Sequence, residues 1–136
     1  MRFTRYLLQV KPQEILVKAA SGNPTGLTGI FQHPNPRPAL IALYNATLDK
    51  LKKDFPQESV YRTSVETFTQ KRLEIVETTD VVEQIEAKIG AGLIEEVIIQ
   101  ANEELELATK MAEWKPWEEL EEKPLDDQWI YFGKKI

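Results

Sequence analysis

The sequence predicts an all-α fold: a small three-helix bundle with a short extra helical turn, flanked by extended N- and C-terminal arms. Three observations carry that prediction. Apolar residues recur at gaps of three and four over residues 40–55, 61–75 and 94–112, the period of a helix with one buried face. No pair of segments alternates apolar and polar residues as paired strands do, and no repeat of roughly 20–50 residues marks a solenoid. Proline and glycine fall between the periodic stretches, where they end helices. The chain therefore divides into an N-terminal arm (1–37), a helical bundle (38–115) and an aromatic, proline-containing C-terminal arm (116–136).

Within the first arm, residues 12–20 read as a short helix with Pro12 at its first position, ended by the Ser21–Gly26 stretch with its two glycines and Pro24. Pro34, Pro36 and Pro38 then favour extended geometry. From Pro38 the stripe Leu40, Tyr44, Leu48, Leu51 and Phe55 predicts a helix closed by Pro56, with Asp49 and Lys53 paired on its other side. Ser59 offers a hydroxyl to cap the next helix, whose inner face holds Tyr61, Val65, Phe68 and Ile75. Arg72 falls on that same stripe, so either the helix rolls there or the guanidinium snorkels out. Asp80 and Glu83 have capping-box spacing ahead of a short segment ending at Gly90, which suits a left-handed cap. The longest helix runs from about Gly92 to Trp114, with Ile94, Val97, Ala101, Leu105, Ala108 and Ala112 inside and Glu95, Glu96, Glu103, Glu104 and Glu106 outside. The tail beyond Pro116 holds two of the three tryptophans and no periodicity, so its aromatics must bury on their own bundle or on a neighbour.

With 136 residues, the chain makes one domain, and 42% hydrophobic with 29% charged residues is a globular composition. No cysteine rules out disulfides, thiolate metal sites and thiol nucleophiles, and a lone His33 rules out two-imidazole schemes. No run of about 18 apolar residues is present to form a transmembrane helix. The first eight residues are basic and acid-poor, and read either as a mitochondrial targeting segment or as a structural arm. Residues 1–55 hold eight basic and three acidic groups; the remainder holds nine basic and nineteen acidic. That polarity suits docking to a complementary protein and disfavours nucleic acid.

Chemical constellations are sparse. Gly90-Ala91-Gly92 lacks the third glycine and the strand–turn–helix setting of a dinucleotide site, and is explained by a helix–helix turn. The glutamates of the last helix lack the Glu-x-x-His pair of a di-metal site and read as a solvated face. His33, between Gln32 and Pro34, reads as an exposed loop histidine. Asn45-Ala46-Thr47 matches a glycosylation acceptor but lies within a helix, so it is expected to be unmodified. No catalytic residue, cofactor site, metal site or small-molecule substrate is assigned.

Two stretches are more distinctive. One is Gly92–Ala108, reading GLIEEVIIQANEELELA; the other is Met111-Ala112-Glu113-Trp114-Lys115-Pro116-Trp117-Glu118, followed by Pro124 and Asp127-Gln128-Trp129. Together with Gly26-Leu27-Thr28-Gly29, they resemble the alpha-subcomplex subunit 5 family of mitochondrial NADH:ubiquinone oxidoreductase, the 13-kDa accessory subunit of respiratory complex I. The resemblance covers roughly residues 26–131. It implies a non-catalytic subunit without a redox centre, peripheral on the matrix side of the inner membrane. Its expected partners are other complex I subunits, first the core 30-kDa subunit of the peripheral arm. The chain departs from the animal pattern over its first 25 residues and over 130–136. The residues expected at the partner interface are Trp114, Lys115, Pro116, Trp117 and Trp129. The alternative is a free-standing helical adaptor; an enzyme working with carboxylates alone ranks behind both.

Overall fold

The structure is a computed structural model that describes residues 15–131, 134 and 135. Four helices follow one another: α1 (Pro36–Asp54), α2 (Val60–Thr78), α3 (Val82–Ile89) and α4 (Ile94–Trp114). A two-residue strand pair comes last, β1 (Ile130–Tyr131) antiparallel to β2 (Lys134–Lys135), with Ile130 opposite Lys135 and Tyr131 opposite Lys134. The sequence reading expected no strand pair, and a pairing this short leaves no alternation to read. The all-α class is otherwise what forms.

α1 is the central element, packed against both α2 and α4. It begins at Pro36, two residues before the expected start. Pro36 and Pro38 both lie in the first turn, where backbone N–H groups have no helical partner to lose. Its predicted stripe, Leu40, Tyr44, Leu48, Leu51 and Phe55, is buried throughout, and Leu43 and Thr47 widen it. From α4, Ile94, Val97, Ile98 and Ala101 close over this face, while Val76 of α2 and Ile85 of α3 complete the core. On the outer side the ion pair is Lys50–Asp54 rather than Asp49–Lys53.

α2 forms as expected behind the Ser59 cap, whose hydroxyl accepts from the Arg62 amide at 3.5 Å. Its phase differs from the expected one. Thr69 and Val76 are the buried residues, Tyr61, Val65 and Ile75 are half-buried, and Phe68 is exposed. The cause is Arg72. A guanidinium cannot enter the core unpaired, so the helix presents the neighbouring line Thr69–Val76 to α1, and Arg72 lies over the Phe68 ring, 4.2 Å from its centroid.

The start of α3 also differs. Val81 precedes the helix with no side-chain cap, because Asp80 is engaged elsewhere: it pairs with the Arg37 guanidinium at 3.3 Å. Arg37 also donates to the Val76 and Glu77 carbonyls, at 2.9 and 2.8 Å, and so satisfies the free C-terminal end of α2. Gly90 ends α3 in the left-handed region (φ 70°), as the sequence suggested. The start of α4 is then secured by two glutamates. Glu86 of α3 accepts from the Ile94 amide (2.9 Å), and Glu96 reaches back to the Leu93 amide (3.0 Å).

The helix expected over 12–20 does not form across Ile15–Ala20; residues 12–14 lie outside the described residues. Ile15, Val17 and Ala19 turn inward at a period of two, and Ile15 and Val17 pack on the bundle core. An extended strand-like arm lays alternate side chains on that surface, which a single isolated helical turn would not. Residues 23–32 fold into a tight loop closed by an antiparallel bridge between Pro24 and Phe31 and by the Gln32 amide donating to the Asn23 carbonyl at 2.8 Å.

Candidate partner interface

The interface candidates lie where α4 gives way to the tail. Trp114 is the last helical residue and is 66% exposed. Lys115 follows at φ 53°, the sole non-glycine residue with positive φ among those described, and its amide donates to the Met111 carbonyl at 3.0 Å. This left-handed residue costs about 1–2 kcal/mol without glycine's freedom, and it turns the chain back at Pro116, where a helix cannot continue. Trp117 then meets the bundle. It is half-buried and stands edge-on to Phe55, with centroids 5.4 Å apart at 72°. Phe55 stacks in turn on Tyr61 at 5.3 Å, so three aromatics gather at the corner between α1 and α2.

That corner is reinforced by polar contacts. Arg62 donates to the Phe55 carbonyl (2.8 Å) and pairs with Glu66 (2.9 Å). The Tyr61 hydroxyl donates across to Glu104 of α4 at 2.9 Å. Burial, and then the hydrogen bond and negative charge of Glu104, push the Tyr61 hydroxyl well above the ordinary tyrosine range.

The five residues singled out by sequence thus part company. Trp117 packs on its own bundle, whereas Trp114, Lys115, Pro116 and Trp129 are exposed, Trp129 by 62%. Leu120, Leu125 and Tyr131 are exposed along the same tail. Their surroundings are acidic: Glu113, Glu118, Glu119, Glu121, Glu122, Asp126 and Asp127 lie among them, against Lys110, Lys115 and Lys123. Large apolar side chains are thus exposed along a stretch whose sequence is predominantly acidic.

Three side chains take structural roles that the sequence did not assign to them. His33 is 8% exposed, not the solvent-facing loop residue expected. Its Nδ1 accepts from the Asn35 amide at 3.0 Å, which leaves Nε2–H to donate to the Leu16 carbonyl. Its own amide donates to Glu95 of α4 at 3.3 Å. The loop histidine is therefore the joint that holds the N-terminal arm to the bundle. Arg37 at the α2 end and Tyr44 in the core are the others. The Tyr44 phenol is raised by burial, against a smaller opposing influence of Arg72. Glu95, Glu96 and Glu104, expected on a solvated face, are half-buried and each accept a hydrogen bond. No signal short of the fold reveals these pairings, since the partners lie up to 62 residues apart.

Among the described residues no helix is long and apolar enough to cross a membrane. Residues 29–96 match a family model described as the ETC complex I subunit conserved region. The chain belongs to the family of NADH dehydrogenase (ubiquinone) 1 alpha subcomplex subunit 5. It is 45% identical to the mouse member over 105 residues, covering 77% of this chain and 90% of that protein. A Candida albicans relative, NADH dehydrogenase (ubiquinone) 1 alpha subcomplex subunit MCI4, is 63% identical over 139 residues and covers the whole of both chains. The Arabidopsis thaliana relative, whose name carries "mitochondrial", is 42% identical over 68% of this chain and 54% of its own length. The match to the Candida protein thus takes in both arms.

Proposed function

We propose that this chain is a non-catalytic accessory subunit of mitochondrial respiratory complex I. It sits in the matrix-facing peripheral arm, on the inner membrane but not in it, beside the core 30-kDa subunit. There it supports NADH-to-ubiquinone electron transfer by stabilising the assembled arm, with no cofactor or substrate of its own. Family membership supports the complex; one structural observation supports the role. The helical core closes without Trp114, Trp129, Leu120 and Leu125, which stay exposed on one acidic tail. Apolar groups of that size grouped on a soluble surface mark a protein contact, and buried tryptophans are the usual energetic centres of such contacts.

Blue-native electrophoresis of detergent-solubilised mitochondria, with the tagged chain detected by immunoblot, tests the reading. Comigration with the near-megadalton NADH-oxidising band is expected; migration only at the monomer position would install the adaptor reading instead. Replacing Trp114 and Trp129 together by alanine spares the Phe55–Trp117 contact. It is expected to lower the affinity by about 2 kcal/mol or more for each tryptophan that is a binding centre, seen as loss of the subunit from the band. Retention of the double variant at full occupancy would remove the tail from the interface.

A further inference from the structure

A cleft of about 370 Å³ opens between α1, α2 and α4, lined by Tyr44, Phe68, Arg72, Gln100 and Leu107 among others. It lies near the small end of the ~300–1,000 Å³ range of ligand pockets. Tyr44 is 3% exposed, yet among the described residues its hydroxyl proton finds no acceptor. A buried phenol asks for an acceptor, and the charged group that acts on it is Arg72, which has only hydrogens to give. Arg72 makes no ion pair among the described residues and reaches a single acceptor, Gln100 Oε1, at 3.3 Å. The two glutamates at the rim do not serve. Glu104 is engaged by Tyr61, and Glu103 is exposed and bonded to neither donor. Around the mouth, Phe68 and Leu107 stand 50% and 41% exposed.

The cleft therefore offers a buried hydroxyl proton without an acceptor and a permanent cation with N–H groups beyond its Gln100 bond, beside the apolar Phe68 and Leu107 and the two rim glutamates. We propose that it receives an aspartate or glutamate side chain of a neighbouring subunit, whose carboxylate accepts from the Tyr44 hydroxyl and the Arg72 guanidinium while the partner surface covers Phe68 and Leu107. This rests on the reading of the chain as a complex I subunit, and adds a second contact made of elements other than the tail. A carboxylate fits better than a neutral carbonyl because it also compensates the unpaired guanidinium, whose planar fork matches two oxygens. A protein side chain fits better than a free small acid because the exposed apolar pair Phe68 and Leu107 needs covering too.

Two measurements on the assembled complex decide it. With p-benzoylphenylalanine in place of Phe68, irradiation is expected to join the chain to another subunit through a peptide that contains aspartate or glutamate. No protein adduct, or an adduct peptide without either residue, overturns the proposal, and this result does not depend on how any cleft variant folds. In parallel, Tyr44→Phe and Arg72→Gln are each expected to make release by graded salt about tenfold easier than from the parent complex, with Arg72→Lys between. Release identical to the parent also overturns it. The parent chain's own comigration with the NADH-oxidising band separates the two ideas: a parent absent from the band fails the subunit reading, whereas a parent present with indifferent variants fails the cleft alone.

Discussion

Single side chains in this protein take their character from neighbours far away in sequence. His33 has no visible partner between Gln32 and Pro34, and its role appears only when the fold brings Leu16 and Glu95 to it. Tyr61 is the same case with a measurable consequence. Its hydroxyl is held protonated by burial and by Glu104, above the ordinary value of 10.0 that the unfolded chain keeps. As pH rises past about 10 the unfolded chain loses that proton first, so stability is complete below this pH and falls above it. Tyr44, raised by burial, acts in the same direction. Tyr61→Phe is expected to cost about 1 kcal/mol near neutrality through loss of the Glu104 bond, and to flatten the alkaline fall. Thermal melts of the parent and variant chains between about pH 8 and pH 11 check both parts, the window being set by the tyrosine reference value.

At the scale of elements, legibility follows how completely apolar pattern dictates position. α1 and α4 were legible because their stripes carry no charge, and every stripe residue of α1 is buried as its spacing implied. α2 was legible as a helix but not in phase, since Arg72 on the apparent stripe forced Thr69 and Val76 inward in place of Phe68. The buried threonine of α1, Thr47, has a local excuse: its hydroxyl returns to the Leu43 carbonyl one turn back at 2.9 Å. The junction of α2 with α3 was misread for a related reason. Asp80 has the chemistry of a cap, but Arg37, arriving from α1, takes it and holds the last carbonyls of α2. Arg37→Ala is expected to destabilise the bundle by about 1–3 kcal/mol, because those carbonyls lose a charged donor. Urea unfolding should show a lower midpoint with an unchanged slope, and hydrogen exchange should quicken first at the C-terminal turn of α2.

For the molecule as a whole, the bundle was legible in periodicity and the tail only in composition. Two-thirds of the tryptophans stand in a segment with no repeating pattern, so nothing in sequence distinguished Trp117, which packs on Phe55, from Trp129, which does not. Trp117→Ala is expected to leave the four helices in place while freeing the tail, the lost aromatic pair being worth about 0.5–1.5 kcal/mol beyond its burial. Limited digestion of the full chain with a glutamate-specific protease should then cut within Glu118–Glu122 sooner than in the parent. The backward turn at Lys115 also fixes how the protein bears load. A pull applied at Trp129 travels up the tail and reaches Trp117 before it reaches the end of α4. The Trp117–Phe55 contact takes up part of that force at the corner between α1 and α2, before the rest reaches the last turn of α4. A neighbour that grips the tail therefore holds two ends of the bundle at once, the end of α4 by the chain and the end of α1 by the Trp117–Phe55 contact.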